Sequence, residues 1–95
     1  MFVDLAEREA EMCARIFHGL AVLKVGHAKA ATERMLITRP RVIVFLTKMS
    51  ADDVSMLKER AQDVGGWLVQ IEEGIAEADL APRLLGALRD AERGR

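Results

Sequence analysis

The run Val42-Ile43-Val44-Phe45-Leu46 is apolar at every position and opens with three β-branched residues. A strand with one wet face alternates apolar and polar side chains. A strand without that alternation is covered on both faces, the pattern of a parallel sheet lying between helices. The flanks agree with this reading. Ahead of the run, Arg39-Pro40 breaks a helix, because proline disfavours the helical region for the residue before it. Behind it, Ser50-Ala51-Asp52-Asp53 reads as a helix start, with Ser50 as N-cap and two acids in the first turn. Val54, Leu57, Ala61 and Val64 then form an apolar stripe at helical spacing, Gly65-Gly66 ends the helix, and Trp67-Leu68-Val69-Gln70-Ile71 reads as another strand.

The same alternation extends to both ends of the chain. Met1-Phe2-Val3 predicts a very short strand ending at Asp4. Leu5 to about Phe17 is helical in pattern, with Met12, Cys13, Ile16 and Phe17 on one face and Ala6 and Ala10 behind them. Gly19 ends that segment, and Leu20 to Val25 predicts a second strand. Gly26-His27 makes a turn into a helix from Ala28 to Ile37, with Ala28, Ala31, Met35 and Leu36 facing inward. The last helix is expected to start at Asp79 or Ala81, with Pro82 in its first turn and Ala81, Leu84, Leu85, Leu88 and Ala91 facing the core. The order β-α-β-α-β-α-β-α predicts one α/β domain over residues 1–95, a small parallel sheet of about four strands joined by helical crossovers.

Composition narrows the function. An apolar share of 51% supplies a core, and with only 4% aromatic residues that core is mostly aliphatic. Fourteen basic residues against fifteen acidic ones leave no excess for a nucleic-acid face, and no cationic surface for a membrane. The longest apolar run, Val42 to Leu46, is far shorter than a membrane span, and the N-terminus turns acidic at Asp4, unlike a signal peptide. The lone Cys13 has no intrachain partner, and no Cys/His pair has zinc spacing, so a reducing cytoplasm is the expected setting.

In a parallel α/β sheet, sites form outside the carboxyl ends of the strands. The residues there are Asp4, Gly26-His27, Thr47-Lys48 and Gln70-Glu72. Asp4 reads as an N-cap before Leu5, and Asp52 and Asp53 as capping acids rather than a catalytic pair. His27 has no visible nucleophile or acid partner and reads as a solvated turn residue. Cys13 reads as a small apolar core residue. Gly65-Gly66 precedes a strand instead of opening a helix, so it is no phosphate loop. Trp67, the only tryptophan, is balanced between a core residue and a contact anchor.

The ordered set resembles the receiver domain of response regulators. Val42 to Ser50 is similar to a receiver strand that ends in a switch Thr, here Thr47. Gly65-Gly66-Trp67-Leu68-Val69-Gln70 is similar to the Gly-Ala, aromatic-Leu-Val-Lys segment, with Trp67 at the switch aromatic and Gln70 at the strand-end lysine. Phe2-Val3-Asp4 resembles the first strand with its acidic cluster, Ala28 to Pro40 the second helix and its turn, and Asp79 to Arg93 the closing helix. One βα unit is missing: either the third is deleted, or Val42 to Thr47 is itself the third strand and a later unit is lost. The resemblance implies a flavodoxin-like three-layer fold.

It also implies a phosphoacceptor aspartate, which Val42 to Lys48 lacks, a cationic strand-end residue, where Gln70 is uncharged, and an acidic pair for magnesium, reduced here to Asp4 followed by Leu5. The expectation is a pseudo-receiver: a non-enzymatic signalling or interaction module without cofactor or metal, docking another signalling protein or forming a homodimer. The dimer face implied is Val54 to Val64, Trp67 to Ile71 and Pro82 to Arg93, with Lys58, Trp67 and Arg89 as contact residues. Two alternatives stand beside it: a small ligand-binding or enzymatic domain using the strand ends, and a STAS-like regulatory domain, which Pro40 to Ile71 also resembles.

Overall fold

A computed structural model describes residues 1–93. Strands β1 (Phe2–Val3), β2 (Lys24–Val25), β3 (Val42–Leu46) and β4 (Trp67–Ile71) alternate with helices α1 (Glu7–Ile16), α2 (Ala28–Thr38), α3 (Ala51–Val64) and α4 (Glu77–Arg93). All pairings are parallel, and the strand order is β2-β1-β3-β4. This matches the first four strands of the doubly wound flavodoxin-type order. Val42–Leu46 lies beside β1, the place the third strand holds in that order.

The core has two halves, one on each face of the sheet. Phe2, Val42, Val44, Leu46, Val69 and Ile71 pack against Met12 and Cys13 of α1 and Leu80 and Leu84 of α4. Val3, Ile43 and Phe45 pack against Ala31 and Met35 of α2 and Leu57 and Ala61 of α3. Successive residues of β3 therefore serve opposite cores, which is why the run has no polar position: all five of its residues are buried. An exposed ion pair, Arg15 to Glu77 at 2.6 Å, ties α1 to the start of α4.

Local chemistry explains most element boundaries. Ser50 Oγ accepts the Asp53 N–H at 3.2 Å and starts α3. At the other end Gly65 takes the left-handed conformation, φ +73°, and the Gly66 N–H reaches the Ala61 carbonyl at 2.9 Å, a Schellman closure.

Several expectations need correcting. The second strand is only Lys24–Val25; Leu20 to Val22 are exposed and unpaired. Gly19, at φ +83°, turns the chain away before it reaches the sheet. Asp4 is not a helix cap: it has φ +50°, and α1 starts three residues later, behind Ala6, without any side-chain cap. Ala6 is exposed, while the acidic Glu9 is buried beside Arg8 at 3.0 Å. Leu36 and Leu85 point to solvent, displaced from the core by Met35 and Leu84 one position earlier. Helix α4 begins at Glu77, so Pro82 lies inside it and removes one backbone donor there.

Candidate functional site

At the carboxyl ends of the strands, Asp4, Leu46, Lys48, Met49, Ser50 and Asp53 line a cleft of about 200 Å³. Asp4 is placed at it by its backbone conformation. A left-handed residue ends β1 and still donates its N–H to the Val25 carbonyl at 2.8 Å, and aspartate tolerates that conformation better than most side chains. Asp53 comes from the first turn of α3 and is positioned by its capping bond to Ser50. Lys48 pairs outward with Glu73 at 3.5 Å. Two carboxylates thus share the cleft, and among the described residues no group of three or more His, Cys, Asp or Glu could hold a metal ion.

The other strand-end residues stay apart. The Thr47 backbone N–H donates to the Ile71 carbonyl at 2.9 Å, and its side chain is exposed outside the cleft. His27 caps α2: its Nδ1 accepts the Ala30 N–H at 3.2 Å, so that nitrogen is already occupied. Gln70 lies near the end of β4 with an exposed side chain, and Trp67 lies at the opposite, amino-terminal end of the same strand. The structure brings together Asp4, Lys48, Ser50 and Asp53, and separates them from Trp67.

The second feature is the open edge of the sheet. In the parallel β3–β4 ladder the Trp67 N–H donates to the Arg41 carbonyl at 2.8 Å, and the Ile71 carbonyl accepts from Thr47. Bonding therefore alternates, and Leu68 and Gln70 aim their N–H and C=O groups away from the sheet. The Arg83 guanidinium reaches the Gln70 carbonyl at 3.4 Å and holds the Glu72 carboxylate through two contacts, 3.0 and 3.1 Å. That bond, more than any other influence, keeps the Glu72 carboxyl below its ordinary range. Trp67 stands 43% exposed at the head of this edge. Lys58 on α3 and Arg89 on α4 are exposed on helices covering opposite faces of the sheet.

Sequence reasoning missed Arg83 and read Asp53 only as a capping acid. Arg83 lies eleven residues from Glu72, a separation no local periodicity reports. Asp53 was visible as a capping acid; its place opposite Asp4 depends on how β1 ends. No family model, curated protein or solved structure matches the chain. Among the described residues no helix is long and apolar enough to cross a membrane.

Proposed function

We propose that the chain is a non-enzymatic, receiver-like interaction module of the reducing cytoplasm, not phosphorylated, that works by docking or self-association through the β4 edge. The observation that carries this reading is the outward row of backbone groups on Leu68 and Gln70, with Trp67 beside it. An unpaired strand of this length is a template for another strand. A two-fold axis through Val69 would set Leu68 of one copy opposite Gln70 of the other and make four hydrogen bonds, an isologous contact. The β2 edge offers only two residues and is a poor template by comparison.

The pseudo-receiver part of the proposal rests on the carboxyl ends. The strand beside β1 ends in Leu46-Thr47-Lys48, with no acid to accept a phosphoryl group. Asp4, just past β1, and Asp53, on α3, remain.

Light scattering across a dilution series tests the association. The expected result is a mass rising toward a dimer as concentration approaches about a millimolar. A monomer mass throughout would overturn self-association. Intact mass after incubation with magnesium and a small phosphodonor tests the other half, and an acid-labile gain of one phosphoryl group would overturn it.

A further inference from the structure

A larger cavity lies at the opposite, amino-terminal end of the sheet. It has a volume of about 390 Å³ and opens between the start of β1, the segment after α1, the Pro40–Val42 stretch and the last turns of α4. This volume is in the range of small-molecule sites. Phe2, Phe17, Val42 and Leu88 form its inner wall. Leu20 and Val22 stand at its mouth, 48% and 37% exposed.

These are residues that read as a strand in the sequence and are unpaired in the fold. Their apolar surface faces the cavity and water instead of the sheet. An apolar molecule seated there would remove that surface from water at about 25 cal/mol per Å².

The charged side chains at the mouth are one donor, Arg41, and one acceptor, Glu92. Arg41 Nη1 lies 3.4 Å from Glu92 Oε1, with both side chains more than half exposed. A long, exposed pair of this kind contributes little and is easily exchanged. The Met1 α-amino group, bonded to the Val42 carbonyl at 2.8 Å, is a second donor on the same wall. Glu92 is the single acidic side chain among the lining residues. A guanidinium matches a carboxylate in a two-pronged geometry that an amide or hydroxyl head cannot use as well.

We infer that this cavity binds a small amphiphilic carboxylate, with its apolar body between Phe2, Phe17, Leu20 and Val22 and its carboxylate on Arg41 in place of Glu92. A medium-chain fatty acid or an aryl-alkanoate has this chemistry. The site is separate from the β4 edge and does not depend on the proposed association.

Octanoate is the probe, with octanamide as its uncharged isostere. Amide NMR titration of the isotope-labelled chain should show saturable shifts at Phe17, Leu20 to Val22, Arg41 and Leu88. Octanoate should bind with a Kd below about 1 mM, and octanamide at least roughly ten-fold more weakly, a difference of ~1.4 kcal/mol. Arg41→Ala should reduce octanoate to the level of octanamide. Leu20→Glu should weaken octanoate at least roughly ten-fold by putting a charge where the apolar body of the ligand would lie.

Both substitutions are at exposed positions, and a cooperative melt near that of the parent verifies folding. Should Leu20→Glu fail to fold, Arg41→Ala decides alone. Absence of saturable shifts, equal affinity for octanamide, or indifference to Arg41→Ala would each overturn the inference. So would a dimer whose interface amides are those of Leu20 and Val22, since a second copy would then be the occupant.

Discussion

Cys13 has no exposed surface, and burial first, then the neighbouring Glu9 carboxylate, push its thiol up to about 11, against a weaker opposing pull from the N-terminal amine. The thiolate is the reactive form, so at pH 8 only about one thiol in a thousand is ready to react, and none is accessible. Native protein should therefore leave a disulfide reagent unconsumed for many minutes, and denaturant should release one equivalent. Rapid native titration would mean that α1 opens. The Met1 amine is the complementary case. Burial, its largest influence, lowers it from 8.0 to about 6. Between those values the unfolded chain holds more protons than the folded one, so stability rises with pH across this window. The contribution is complete above about pH 8, is lost as pH falls toward 6, and is flat below; its full size is on the order of 2 kcal/mol. Denaturant midpoints at several pH values measure it, and an N-acetylated chain should lose this part of the slope.

Helix α3 shows which elements a sequence can specify by itself. Its cap at Ser50, its stripe of Leu57, Ala61 and Val64, and its two-glycine stop are all local, and all were legible. The two glycines differ in their constraint. Gly65 needs its positive φ, and Gly65→Ala should cost about 1 kcal/mol. Gly66 needs space: a Cβ there would lie 2.6 Å from Ile43 Cδ1 and 3.0 Å from the Pro40 carbonyl oxygen. Ile43 is fully buried and the carbonyl is backbone, so Gly66→Ala should cost more, about 1–3 kcal/mol, and should shift the Ile43 methyl resonances. Equilibrium unfolding orders the two, and a milder Gly66→Ala would mean that the β3–β4 register relaxes. β3 was legible for the same reason as α3, since five unbroken apolar residues, three of them β-branched and bounded by Pro40 and Ser50, fit a strand covered on both faces. β2 was overextended because Leu20 to Val22 has strand composition, while its apolar side chains line a cavity, a destination no periodicity encodes. Leu36 and Leu85 failed similarly: each follows a better-placed apolar residue, and a wide stripe does not tell which neighbour goes inside. The carboxyl-end cleft was half legible, because the strand ends were located but Asp4's left-handed turn was not.

At the scale of the molecule, the sheet ends in two unlike edges. β2 protects itself by being two residues long. β4 is five residues long and carries the Arg83–Glu72 pair across its far end. One carbonyl of the outward row, on Gln70, is thereby occupied, and among the described residues the other outward groups have no hydrogen-bond partner. Arg83 and Glu72 are both about half exposed, so their pair is weak and yields to a better-placed donor. A second β4 supplies such a donor from the Leu68 N–H. On the proposed self-association, Arg83 would act as a weak guard that opposes strand addition without preventing it. Removing the guard should tighten the dimer, because the Gln70 carbonyl no longer has to be freed. Arg83→Ala is expected to lower the dimer dissociation constant by roughly three- to ten-fold, up to ~1.4 kcal/mol. Gln70→Pro should have the opposite effect. It deletes an outward N–H that makes no bond among the described residues, and its side chain is exposed, so the fold is preserved while the edge loses a donor. The double variant should lie between the two single variants, because the guard and the missing donor act on opposite sides of the same equilibrium. Sedimentation equilibrium on the four proteins measures all three changes. A dissociation constant indifferent to both substitutions would move the contact off the edge, onto the helix surfaces that carry Lys58 and Arg89.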